Sequence, residues 1–161
     1  MTEANDLAVW TVVPQLSPIV ELQHSLASRV ADISPFVDQL MQFLKPFTDK
    51  LRNEDGSDVA IEIAAREAIA NAVIHGNREN PMKRVHVKCH CSMEGDVVIT
   101  VRDEGMGFDS RTLPDPTDQA NLLLTHGRGV RLMQTLMDDV GFQENGTIVR
   151  MRKLLGPHTQ E

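Results

Sequence analysis

Aromatic side chains are scarce: the 161 residues contain no tyrosine, one tryptophan and five phenylalanines. A core for this chain has to be built from aliphatic residues and methionine. Cysteine is nearly absent too. Cys89 and Cys91 stand two residues apart, so no disulfide framework is available, and a reducing cytoplasm is the expected compartment. Positive charge is in deficit, with 16 lysines and arginines against 23 acidic residues and a net charge of −7. A nucleic-acid surface normally needs a basic stripe, so no direct nucleic-acid partner is expected, whereas a protein with a basic face stays open. Apolar runs are short. None approaches a membrane span, and the first residues lack the charged-then-apolar order of a signal peptide, so no membrane partner is expected. Repeats and low-complexity tracts are missing as well.

What is present fits one ordinary domain: 41% apolar and 24% charged residues are globular proportions, and the length suits a single core. Residues 1–17 show no clear amphipathic period and read as an N-terminal extension, with residues 156–161 as a tail. Alternation over residues 20–26 predicts a first strand. Ser28 or Ser34 can cap the helix that follows, and Phe36, Val37, Leu40, Met41, Leu44 and Phe47 recur at three- and four-residue spacings along it, with Pro46 a point of kinking. A polar break at residues 53–57 leads to a second helix, capped by Ser57 or Asp58 and expected to stop at a left-handed Gly76. Val85, Val87, Cys89 and Cys91 alternate with His86, Lys88, His90 and Ser92, and residues 97–102 form the return strand of a hairpin. Residues 110–125 read as a long surface loop. A third amphipathic helix carries Val130, Met133 and Met137, and two closing strands flank a turn at Asn145-Gly146. The expected fold is α+β: a two-layer sandwich whose mixed, mainly antiparallel sheet is covered on one face by helices.

The second helix stands out. Residues 62–77 are so rich in Ala, Ile and Val that nearly the whole cylinder is apolar, which predicts a buried helix. Glu67, Asn71 and His75 nevertheless share one face at i, i+4 and i+8. A buried glutamate and asparagine must be satisfied, by a closed protein network or by a ligand. The Asn71 amide oxygen suits magnesium, a hard cation that keeps several waters, and Glu67 is spaced to take a proton from a hydroxyl beside that metal. Asp103, at a strand end, offers an acceptor to an exocyclic amine such as adenine's. Gly105 and Gly107 let backbone approach a flat ring. Gly127 and Gly129 precede a helix, where free amides favour phosphate, and Arg128 between them adds a charged fork. Each patch also has a structural reading: a closed network, a glycine turn, a helix start. Cys89-His90-Cys91 alternates across a strand, so its three side chains cannot converge on one metal, and the cysteines read as core.

All three patches occur once, in order, at element boundaries. Together, Glu67-Ala-Ile-Ala-Asn71-Ala-Val-Ile-His75-Gly76, Asp103-Glu-Gly105-Met-Gly107 and Gly127-Arg128-Gly129 resemble the motifs of the GHKL ATPases. The fit is closest to the anti-sigma factor serine/threonine kinases, whose first motif typically ends Asn-Ala-x-x-His-Gly; residues 136–140 and Gly146-Thr147 before a strand are similar too. The resemblance implies a Bergerat ATP-binding fold over residues 18–155, ATP and Mg2+ as cofactors, Asn71 as metal ligand and Glu67 as general base. It also implies that Asp103 and Gly107 hold adenine, that Gly105 and Thr147 belong to the same nucleotide site, and that Gly127, Arg128 and Gly129 border the triphosphate. The implied partners are an anti-anti-sigma (STAS-type) protein, a sigma factor and a second copy of the chain. One departure stands out: Thr125-His126 occupies the place where some of these kinases carry an arginine before the first lid glycine. A nucleotide-binding interaction module without catalysis is the alternative reading.

Overall fold

The computed structural model describes residues 19–50, 56–107 and 119–156, and for residues 119–127 the backbone alone. Residues 1–17, most of the tail and residues 110–118 of the expected surface loop lie outside the described residues. Among them the order is β1 (Ile19–Ala27), a short 3-10 turn, α1 (Ile33–Lys50), α2 (Ser57–Asn71), a wide turn (Ala72–Gly76), β2 (Arg84–Ser92), β3 (Asp96–Arg102), α3 (Gln119–Leu136), β4 (Asp139–Gln143) and β5 (Ile148–Leu154). The strands form one sheet in the order β1-β2-β3-β5-β4. Every pairing is antiparallel. The α+β sandwich is as the sequence predicts, and the parallel pair that a mixed sheet would contain does not occur among the described strands.

Alternation decides which face is covered. In β2 the odd positions Val85, Val87, Cys89 and Cys91 are buried while Arg84, His86 and Lys88 face outward. The register pairs Cys89 with Ile99 and Ile99 with Met151, so the inner face is a continuous aliphatic layer. Three helices cover it, with α2 packed against both α1 and α3. Ile61, Ala64, Ala65, Ala68 and Ile69 of α2 are fully or almost fully buried. The small alanines bring this helix close to its neighbours, a packing that bulkier residues would prevent. It is not buried all round, however: Val59 and Ile63 of α2, and Ile74 in the turn that follows, are exposed among the described residues.

Several local expectations are corrected. Ser28 caps no helix; its hydroxyl donates to the Lys83 carbonyl oxygen at 2.8 Å. Ser34 lies inside α1, which continues through Pro46 to Lys50. The residue before α2 is Gly56 in the left-handed region at φ 77°, and Ser57 and Asp58, expected as caps, are the first two residues of the helix itself. The third helix begins at Gln119, so residues 119–125 are helical where a loop is expected. The closing hairpin turns where Asn145-Gly146 predicts, with Glu144, Asn145 and Gly146 all at positive φ.

Cys89 and Cys91 are buried free thiols. Burial, with the neighbouring Cys91 adding to it, pushes the Cys89 thiol up to about 12, and burial followed by the charge of Asp96 pushes Cys91 up to about 11. A protonated, buried thiol is a poor nucleophile. Neither cysteine should react with Ellman's reagent in the folded protein at pH 8, and both should react in denaturant. Rapid labelling of the native chain would place these strands elsewhere.

Candidate active site

The end of α2 does not close as an α-helix. The Asn77 N–H donates to the Ala72 carbonyl at 2.8 Å, five residues back, and the Glu79 N–H reaches Val73 at 2.8 Å. Such widened turns cluster at functional sites. Here the widening opens a cavity of about 550 Å³ between α2, the end of β3 and the β4–β5 turn, a size typical for a small organic ligand. Asn71, His75 and Gly76 form one wall, Asp103 and Gly107 another, and Gly146 and Thr147 a third. Met133, Phe142, Val101 and Val149 supply apolar lining, while Arg78 and Lys83 supply cations.

Two glycines bring Asp103 to the helix end. A Cβ on Gly76 would collide with the Asp103 carboxylate, 2.5 Å from Oδ2, and a Cβ on Gly105 would collide with the Gly76 carbonyl oxygen. Gly76 is therefore required for close approach and not, as its place at the helix end implied, for a left-handed φ; it is not among the glycines at positive φ. The Asp103 N–H donates to the Thr147 carbonyl at 3.0 Å, and the Gly105 N–H donates to Asp103 Oδ1 at 2.8 Å. Burial raises the Asp103 pKa above its ordinary value, and the Gly105 N–H and the Lys83 charge partly offset it. Gly107 does need its positive φ of 68°, and it lies where a side chain would meet the Asn145 carbonyl at 2.7 Å.

The second polar cluster lies where α3 crosses α2. A Cβ on Gly129 would sit 2.8 Å from Glu67 Oε2 and 3.3 Å from Asn71 Nδ2, so a side chain there would have to displace the end of Glu67. Glu67 and Asn71 are both half-buried. Among the described residues no protein group is hydrogen-bonded to the Asn71 amide or the Glu67 carboxylate. The closed protein network that a buried Glu/Asn pair would otherwise require is not found among the described residues.

Of the residues singled out from sequence, the fold brings Asn71, Asp103, Gly107 and Thr147 to the cavity wall. Gly105 supports the wall from behind, and Glu67 and Gly129 stand at its shoulder. Gly127, Arg128 and Gly129 lie inside α3. They do not precede a helix as expected, and amides already bonded within a helix are not free to meet an anion. Arg128 is exposed and does not line the cavity. Sequence reasoning missed Arg78, Lys83, Met133 and Phe142, which come from three separate segments, the loop before β2, α3 and β4, and carry no common spacing. No group of three or more His, Cys, Asp or Glu side chains converges among the described residues, so a cage made only of protein ligands is not offered. A single amide oxygen on a nucleotide-sized cavity does fit magnesium, which keeps water and takes ligands from phosphate.

The family model for the histidine kinase-like ATPase domain matches residues 26–153. Relatives include the anti-sigma F factor of Heyndrickxia coagulans, 42% identical over 136 residues covering 81% of this chain and 80% of that protein. The anti-sigma F factor of Bacillus cytotoxicus is 34% identical over 139 residues, 83% of this chain and 86% of that protein. That of Bacillus subtilis (strain 168) is 30% identical over 138 residues, 81% and 80%.

Three substitutions test the geometry. Because burial raises the Asp103 pKa, its ionised form weakens folding at neutral pH, and that penalty is relieved as pH falls through the raised value. Asp103→Asn keeps the acceptor for Gly105 and removes the charge. It should melt at or above the parent temperature at pH 7, with the gap closing on acidification; a lower melting temperature at pH 7 would contradict the assignment. Gly105→Ala, against fixed backbone, should lose about 2 kcal/mol or more, while Gly129→Ala, against the mobile end of Glu67, should lose clearly less in the same denaturant titration.

Proposed function

The chain belongs to the histidine kinase-like ATPase family, the GHKL ATPases, and on that premise we propose that it is an ATP-dependent protein serine kinase of the anti-sigma type. In this reading it phosphorylates a serine of an anti-anti-sigma (STAS-type) partner and sequesters a sigma factor, as a homodimer in the cytoplasm. No described helix is long and apolar enough to cross a membrane. One observation carries the reading: Asn71 and Asp103 face one cavity, and the Asn71 amide and Glu67 carboxylate are unengaged by protein among the described residues.

Bound ATP with magnesium supplies the phosphoryl group and offsets its charge. Asp103 accepts a hydrogen bond from the adenine amine, with Gly105 shaping the turn and Gly107 and Thr147 beside the ring. The Asn71 amide oxygen would hold the metal. Glu67, one turn back on the same helix face, holds or takes the proton of the incoming serine hydroxyl. For Gly127, Arg128 and Gly129 to border the phosphates, their stretch of α3 must first give up its helical hydrogen bonds.

That requirement supports a second reading. With Thr125-His126 in place of an arginine and residues 127–129 inside a helix, the same fold would act as a nucleotide-binding interaction module. Incubation with labelled ATP and a STAS-type partner separates the two. The kinase reading expects phosphate on the partner, and tight binding without transfer favours the module.

Within the kinase reading, Glu67→Ala should keep ATP affinity within about threefold and lose about 10² or more in transfer rate; transfer at the parent rate removes Glu67 as base. Asn71→Ala should abolish the magnesium dependence of ATP affinity measured by calorimetry, and an unchanged dependence takes Asn71 out of the metal shell.

A further inference from the structure

Asn77 is 1% exposed, with no place in the cavity wall. Its side chain joins three segments far apart in sequence. Nδ2 donates to Ser28 Oγ at 2.8 Å at the end of β1 and to the Arg84 carbonyl at 2.9 Å at the start of β2. Oδ1 accepts the Glu104 N–H at 2.8 Å. Both amide hydrogens and the oxygen are therefore used. Its backbone closes the widened turn of α2 through Ala72. One residue thus ties the end of α2, the start of the sheet and the loop after β3 to a common point.

The loop it holds carries the carboxylate that faces the cavity. Glu104 is the residue between Asp103 and Gly105. Its own side chain is exposed and reaches toward β2, accepting the Arg84 N–H at 2.9 Å and meeting His86 Nε2 at 3.0 Å. The buried clamp on this turn is the bond from the Glu104 N–H to Asn77. We propose that Asn77 is a positioning residue for ligand selection: its amide fixes the 103–105 turn against the end of α2 and so sets where Asp103 presents its carboxylate. The inference rests on the reading of Asp103 as acceptor for the adenine amine. A reading group held through a locked neighbour gains its precision from that neighbour, and losing the clamp affects the amine contact more than the rest of the ligand.

The test compares ATP with purine riboside triphosphate, which lacks only the exocyclic amine, on the full chain. The parent should prefer ATP by about tenfold, the value of one hydrogen bond to a charged acceptor. Asn77→Ala should bring the preference to within about threefold of unity, with affinity for the deaminated analogue changed by less than about threefold. Asn77→Asp keeps the acceptor for Glu104 and loses both donors. It should retain most of the preference while melting below the parent, so selection and stability move separately. Equal losses for both nucleotides in Asn77→Ala, in step with melting temperature, make the residue merely structural and overturn the proposal. Where Asn77→Ala does not fold, Asn77→Asp and Ser28→Ala decide together. Both lose the bond between Asn77 and Ser28 and keep the acceptor for Glu104, so both should hold the preference within about twofold of the parent while melting below it; a preference that falls in step with melting temperature in either variant overturns the proposal. Asp103→Asn is the control: if it keeps the parent preference, the adenine reading itself fails, independently of Asn77.

Discussion

Desolvation of two polar side chains on an otherwise apolar helix is the constraint on which this structure turns. Taking a carboxylate and an amide out of water without partners costs several kcal/mol. Glu67 and Asn71 meet that cost halfway: they are partly buried at the α2–α3 crossing, and α3 passes over them at Gly129, where no side chain intrudes. Polar groups are kept, space is kept above them, and no described protein group fills their hydrogen bonds. An arrangement of this kind stores binding capacity at the expense of stability.

The rest of the site follows from close approach. Glycine at 76 and 105 lets the loop after β3 press against the end of α2, which finishes in the widened turn at Ala72–Gly76. The result is one cavity lined by both a carboxylate and an amide. Its size, with apolar surface for a ring and polar groups beside it, suits a nucleotide.

Much of this was legible before any coordinates. Period-two alternation at residues 85–91 determines the buried face of β2, because a one-residue slip would bury Lys88. The Ala-rich pattern around Glu67 and Asn71 determines the central helix. The failures were also physical. Gly127 and Gly129 look like a break, yet α3 runs through both, since a helical glycine costs only about 1 kcal/mol and Gly129 is where α3 needs to be thin. Gly76 reads locally as a backbone signal, whereas its role is steric and depends on Asp103, 27 residues away. The Asn77 hub was invisible for the same reason: its partners at positions 28, 84 and 104 share no local pattern. Local periodicity shows elements; it does not show which distant backbones will touch.

The central claim is that the polar stripe of α2 is kept open for a nucleotide with its metal. It can be read directly from the side-chain amide resonances of Asn71 by nuclear magnetic resonance. Titration with ATP and magnesium should shift both Asn71 amide signals, and ATP with a chelator should leave them near their starting positions. Signals that stay unmoved at saturating ATP and magnesium would mean that the stripe serves something other than a metal-bound nucleotide.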